Sequence, residues 1–181
     1  RRAGYGPAGA EGMLHSVEEL GLLIEQTEEA GVLSHQQADF VRKVFTLSDK
    51  RVGDCMVPKD KMAGLALGTP PDRILEIVRQ GAHTRMPVYD GEFDKVVGVV
   101  NTKDLFYLFS LKGVVVLEDA LYPPLFLKPN DNVADALELF RRERRPLAVV
   151  RDDGKVVGLI TMEDVLEQIV GEMEDEHDQP T

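Results

Sequence analysis

The sequence has a single cysteine, an excess of acidic over basic residues and no long apolar run, and each shortage excludes something. Cys55 stands alone, so no intrachain disulfide can form. That fits a reducing compartment. Cys55 reads as a small packed residue; a reactive thiol would need a neighbouring base or cation. Lys and Arg number 21 against 32 Asp and Glu, a formal net charge of -11. This balance argues against nucleic acid and against anionic membrane surfaces, because phosphate neutralisation needs a basic face. No apolar run nears the ~20 residues that span a bilayer. The longest, around residues 96–100 and 114–117, are strand-sized. No secretory leader is visible. The chain opens on Arg1-Arg2 without an initiator Met, so it is read as a piece of a longer protein. Catalytic signatures are also missing: no nucleophile–base pattern, no Walker-type phosphate loop and no paired carboxylates in a catalytic setting. An enzyme is therefore not expected. His15, His35, His83 and His177 have no ligand spacing with Cys55 or with one another, so no structural metal site is expected.

What is present is a duplication. Val52-Gly53-Asp54-Cys55-Met56-Val57-Pro58 returns as Leu117-Glu118-Asp119-Ala120-Leu121-Tyr122-Pro123. Pro70-Pro71-Asp72-Arg73-Ile74 returns as Pro129-Asn130-Asp131-Asn132-Val133. Gly98-Val99-Val100-Asn101-Thr102-Lys103-Asp104 returns as Gly158-Leu159-Ile160-Thr161-Met162-Glu163-Asp164. Three pairs in the same order, roughly 60 residues apart, mark a repeated supersecondary unit too small to bury a good core alone. Two such units pack together and leave a pseudo-symmetric cleft between them, the natural place for function. Hydrophobic residues make up 43% of the chain, enough for a packed core.

Residues 1–50 read as a flexible Gly/Ala-rich lead-in followed by a helical adaptor. Ser16-Val17-Glu18-Glu19 and Ser34-His35-Gln36-Gln37 are capping boxes that start two helices. The first carries Leu20, Leu23, Ile24 and Thr27 on one face and stops at Gly31. The second carries Phe40, Val41, Val44, Phe45 and Leu47. Repeat one spans 51–113: a strand at 62–67, a helix from Pro70-Pro71-Asp72 to Gln80, strands at 86–89 and 96–100, and a helix opened by Asn101. Repeat two spans 114–172: a strand at 125–127, a helix over 131–141, strands at 147–150 and 156–160 joined by the Asp152-Asp153-Gly154-Lys155 turn, and a last helix. Residues 173–181 form an acidic tail. The expected class is α/β (α+β), two β-α-β-β-α repeats packed pseudo-symmetrically behind an N-terminal helical extension.

From 51 to 172 this order, the duplication and the Gly-hydrophobic-hydrophobic-Ser/Thr-x-x-Asp motif resemble a tandem pair of cystathionine-β-synthase (CBS) domains. The motif is strict at Gly158–Asp164 and degenerate at Gly98–Asp104, where Asn101 replaces Ser/Thr. Asp54-Cys55-Met56-Val57-Pro58-Lys59, His83-Thr84-Arg85-Met86-Pro87-Val88 and the run from Thr161 to Glu172 resemble, more narrowly, the CorC/hemolysin C group. That group usually has Asp-Glu-x-Gly-Gly at the second hairpin and a His where Pro146 stands; both differ here. The resemblance implies a cytosolic regulatory pair that binds ATP or AMP, with Mg²⁺ accompanying the nucleotide. It implies a homodimer through the CBS helices and an attached transmembrane or C-terminal domain outside this chain. It also implies regulation of magnesium/cobalt transport, as in the related cyclin M-type proteins, on the cytoplasmic side of the cell membrane. If the full protein has no membrane domain, a cytoplasmic location is implied instead. A ligand-free dimerisation scaffold of a hemolysin-like membrane protein is the alternative.

The nucleotide-binding positions carried over are Val57, Thr84, Arg85, Pro87, Thr161 and Asp164, with a weaker half-site at Asn101 and Asp104. The chemistry is coherent. A carboxylate on the first turn of a helix can accept from both ribose hydroxyls, and Thr161 can add a hydrogen bond. The helix start favours an anion. Arg85 offers forked donors to phosphate, and Met56 and Val57 can wall a base. Thr161-Met162-Glu163-Asp164 is equally a plain capping box, and the two roles can coexist. Arg85 can instead form an exposed ion pair. Arg141, Arg142, Arg144 and Arg145 read as a solvated helix face or a phosphate contact, and the acidic tail as a solvated run or a weak Mg²⁺ attractor.

Overall fold

The computed structural model describes residues 17–81 and 83–171, and the chain divides into one unit ending at Thr46 and another beginning at Leu47. The lead-in, Ser16, His15, His177 and the acidic tail lie outside the described residues.

The first unit holds α1 (Val17–Glu29) and most of α2 (His35–Leu47). Gly31, at φ 71°, makes the turn between them. The Ser34 capping box forms in both directions: the Gln37 amide donates to Ser34 Oγ at 3.2 Å and the Ser34 amide to Gln37 Oε1 at 2.9 Å. Glu28 ties the helices together, accepting from Arg42 at 2.6 Å and pairing with His35 at 2.6 Å. Those two contacts, His35 first, hold its carboxyl below the usual glutamate range. Leu23 and Val44, expected inward, are 45% and 49% exposed, while Ile24 and Ala38 are buried. Two short helices offer each other only a narrow stripe.

The second unit contains the repeats. It opens with α3 (Val52–Cys55), β1 (Val57–Pro58) and β2 (Leu65–Ala66). Next come α4 (Pro71–Gly81), β3 (Arg85–Tyr89), β4 (Val96–Asn101) and α5 (Thr102–Lys112). Repeat two supplies β5 (Leu125–Leu127), α6 (Val133–Glu143), β6 (Leu147–Asp152), β7 (Lys155–Thr161) and α7 (Met162–Val170). One sheet has the order β2-β3-β4 and the other β1-β7-β6-β5. This is the expected mixed α+β pair behind a helical extension. The expected strand at 62–67 shrinks to β2, because residues before it pass over Phe93: a Cβ on Gly64 would stand 2.9 Å from that ring.

Strand periodicity explains the cores. Side chains alternate across a strand, and both faces of these sheets are covered. Met86, Val88 and Val100 join Ile74, Val78 and Leu105 in one core. Ala148, Val150 and Ile160 join Val133, Phe140 and Val165 in a second. The alternate residues, Val96, Val99, Leu147, Val149 and Val156, meet in a third core shared by the repeats.

The repeats also exchange their opening segments. Val52 is buried in the core of repeat two, its amide donating to the Asp131 carbonyl at 2.9 Å. β1 then pairs antiparallel with β7, Val57 opposite Leu159. Reciprocally, Leu117 and Ala120 are buried in the core of repeat one, and Tyr122 bridges Val99. The motif glycines make room for these crossings. A Cβ on Gly158 would stand 2.6 Å from the Val57 carbonyl oxygen and 2.7 Å from Met56 Sδ; one on Gly98, 2.7 Å from Leu121 Cδ2 and 3.1 Å from the Tyr122 oxygen.

The hairpins are not symmetric. β6 and β7 join through Asp153-Gly154, with φ 44° and 79°, matching the twist of an antiparallel pair. The longer connection of β3 to β4 carries Asp94, which accepts from Lys59 at 2.6 Å and from the Val156 amide at 2.9 Å. Arg151 donates to the Asp94 carbonyl at 3.2 Å and stacks 3.7 Å over Phe126.

Candidate ligand clefts between the repeats

A cavity of ≈290 Å³ opens where β1 and the C-terminal end of β7 meet the start of β3. Val57, Thr161 and Asp164 line one side, and Thr84 and Arg85 the other. Asp164 is held by the α7 cap. Its Oδ2 accepts from the Thr161 amide and the Thr161 hydroxyl, both at 2.7 Å, while the Asp164 amide donates to Thr161 Oγ at 3.2 Å. No donor among the described residues reaches the other carboxylate oxygen, Oδ1. The cap therefore aligns Asp164 and spends only one of its oxygens. Arg85 forms no ion pair among the described residues. The Thr84 carbonyl accepts from the Thr102 amide at 3.0 Å and hydroxyl at 3.2 Å, which anchors the turn into β3.

A second cavity, ≈240 Å³, lies on the pseudo-symmetric side and is lined by Asn101, Tyr122, Arg144 and Arg145, with Arg85, Pro146 and Leu147 also at its wall. Arg85, Pro146 and Leu147 line both cavities. Asn101 caps α5, its Oδ1 accepting from the Lys103 amide at 3.0 Å. Asp104 does not line this cavity; its Oδ2 accepts from the Tyr122 hydroxyl at 2.9 Å. That bond and the charge behind it hold the Tyr122 phenol above its ordinary value of 10.0.

Pro87 does not reach either cavity. It is buried within β3, opposite Val99. A proline is tolerated there because Val99 gives both backbone bonds to Tyr122, at 2.9 Å each, so the missing amide costs no bond to β4. Met56 also turns away, packing over Gly158 and against the core of repeat two. Within the arginine run, Arg144 and Arg145 line the second cavity, whereas Arg142 pairs with Glu143 at 3.2 Å. Arg144, at φ 54°, ends α6 and swings the chain toward the cleft. Lys61 and His83 line the first cavity and were not singled out as ligands by sequence. Lys61 follows Asp54–Lys59 closely, and His83 precedes Thr84, so adjacency to the motifs was the available signal. Burial pushes the Cys55 thiol up, in keeping with a packed residue. Among the described residues no cluster of acidic, Cys and His side chains fits a metal ion.

Two β-α-β-β-α halves facing each other across paired clefts define a class: tandem, pseudo-twofold pairs of one repeated unit. The CBS domain model matches residues 52–111 and again 112–171. The CBS domain of a bacterial CNNM/CorC family Mg²⁺ transporter superposes with a TM-score of 0.80 at 33% identity, over 90% of this chain and 100% of that one. The CBS domain of a bacterial CNNM/CorC family Mg²⁺ transporter in complex with ATP gives 0.70 at 32% identity, over 76% and 99%. The magnesium and cobalt efflux protein CorC of Buchnera aphidicola is 32% identical over 163 residues, 89% of this chain and 56% of that protein. This chain belongs to the CBS-domain family, as a tandem pair of the CNNM/CorC type. It spans only 42%, 40% and 49% of the length of other curated relatives. No helix among the described residues is long and apolar enough to cross a membrane.

Proposed function

We propose that this chain is a regulatory CBS pair that binds an adenosine nucleotide, ATP ahead of AMP, in the first cleft. The observation that carries the reading is the convergence there of a capped Asp164 with an unused oxygen and an unpaired Arg85 across the gap. Asp164 Oδ1 takes the ribose hydroxyls, Val57 walls the base, and Thr84, Arg85 and Lys61 meet phosphates. The ATP complex of a 32% identical CBS domain supports this choice. A triphosphate brings up to four negative charges to a chain of net charge -11, so Mg²⁺ bound with the nucleotide would lower the local repulsion.

The pair would dimerise through its short helices. Phe106 and Phe109 on α5 and Leu166 and Val170 on α7 are 40–45% exposed, apolar surface that a second copy would cover. Nucleotide would then bias an attached divalent-cation transport domain at the cytoplasmic side of a membrane, by binding its two states unequally. The repeat boundaries at 51–113 and 114–172 belong to this proposal.

The test is calorimetric titration with ATP, with and without Mg²⁺, and with AMP as competitor. Saturation near one nucleotide per chain, lost in Asp164→Ala with unchanged dimerisation, supports a sensor. No heat and no thermal shift at millimolar nucleotide sinks it. The ligand-free dimerisation scaffold then becomes the better account, since the exposed apolar faces of α5 and α7 need no ligand.

A further inference from the structure

The duplication makes each cleft a template for the other, and strand register supplies the correspondence. Val57 stands opposite Leu159, two residues before Thr161. Tyr122 stands opposite Val99, two residues before Asn101. Tyr122 therefore holds in the second cleft the place that Val57 holds in the first, and Asp104 answers to Asp164.

The two places are filled differently. The Val57 side chain has no polar atom, and Asp164 lines its cavity. Tyr122 donates its hydroxyl to Asp104 at 2.9 Å, and Asp104 does not line its cavity. The phenol supplies to that carboxylate the kind of hydrogen bond a ribose hydroxyl would supply. It does so without the translational and rotational entropy an incoming ligand must lose. The tyrosine backbone is held by two 2.9 Å bonds to Val99, so the ring has a fixed root. Cationic groups that could meet phosphates are present in the cleft, with Arg145 already donating to the Pro123 carbonyl at 3.1 Å. Arg85, Arg144 and Arg145 line it, and none of them has an ion-pair partner among the described residues.

We propose that Tyr122 is the specificity-determining residue that closes the second cleft to nucleosides, by occupying the base wall and the ribose-binding carboxylate itself. It rests on the reading of the first cleft as a nucleotide site, and the experiment separates the two. ATP is titrated into the wild-type chain, Tyr122→Val, the double variant Tyr122→Val/Asp164→Ala, and that double variant with Asp104→Ala added. Expected stoichiometries are one, two, one and none. Val is the residue at the corresponding place, and retention of first-cleft affinity in Tyr122→Val reports an intact fold. The converse variant, Val57→Tyr, is expected to weaken first-cleft binding at least tenfold, and it decides the matter if Tyr122→Val fails to fold. A folded Tyr122→Val that still binds one ATP, a wild-type chain that binds two, or a folded Val57→Tyr of unchanged affinity overturns the proposal. If the wild-type chain binds none while Tyr122→Val binds one, the first-cleft reading fails and this one stands. If neither binds, both fail.

Discussion

The two clefts descend from one pattern and differ in how they treat the same carboxylate. In the first, Asp164 is clasped by its own helix start, through Thr161, and keeps an oxygen in hand. In the second, Asn101 caps a different amide and Asp104 is taken by Tyr122, which comes from the segment crossing over from repeat two. A threonine hydroxyl can both give and accept within a capping box. Asn101 Oδ1 instead accepts from the Lys103 amide, one residue nearer the helix start, and among the described residues no hydrogen bond joins Asn101 to Asp104. One substitution at the cap and one at the crossing segment thus separate a cleft with a free acceptor from a cleft with a satisfied one.

The largest effect that tests this contrast is on binding. Asp164→Ala is expected to cost about 2–4 kcal/mol of ATP affinity, one or two hydrogen bonds to a charged acceptor. Asp104→Ala should leave the affinity unchanged in the same calorimetric titration; equal losses from both variants would erase the distinction between the clefts.

The crossing segments give the next effect. A Cβ on Gly158 meets a backbone oxygen at 2.6 Å, whereas one on Gly98 meets chiefly the flexible end of Leu121. Gly158→Ala should therefore destabilise by about 2–3 kcal/mol and Gly98→Ala by about 1 kcal/mol, as read from denaturant midpoints. A reversed order would mean that β1 is not seated on β7 in solution.

Arg85→Lys sharpens the comparison from the cation side. It keeps the charge and removes the fork, so ATP affinity should fall by about 1 kcal/mol and adenosine affinity by much less. An equal fall for both ligands would place Arg85 away from the phosphates.

The smallest effect concerns the hairpins, where, among the described residues, the repeat-one connection is ion-paired through Asp94 to Lys59 and the repeat-two turn has no such pair. The Lys59 hydrogen bond first, and the Val156 amide second, hold the Asp94 carboxyl below its ordinary 3.8. A carboxyl lowered in the folded state contributes stability above its unfolded value and loses it as pH falls through the folded one. Melting temperatures of wild type and Asp94→Asn should differ at neutral pH and converge below pH 3.8, where the carboxyl protonates. A gap that persists in acid would assign the effect to shape and not to charge.

Much of this molecule was legible along the chain. β5 begins and ends at the expected residues, and the Ser34 box and the Asp153-Gly154 turn form as their residues dictate. The position of Asp164 and its cap was equally readable, because Thr161 and Asp164 lie within one helical turn. Pro87 was not, since its side chain shares a strand face with Arg85 but sits one step deeper between the sheets. Nor was Met56, which ends α3 just before β1 and packs over Gly158, while Val57, the next residue, opens the strand and faces the cavity.

The sequence by itself determined the repeated β-α-β-β-α order, the helix starts and the turns, because these depend on periodicity and on hydrogen bonds between residues a few positions apart. Only the tertiary structure decided that each repeat's opening segment lies on the other's sheet. It alone brought Tyr122 to Asp104, placed Arg85 at both cavities and left Asp164 a free oxygen across from it. Those outcomes turn on which buried surfaces meet across distances such as Val57 to Leu159, where packing of the whole unit outweighs any local preference.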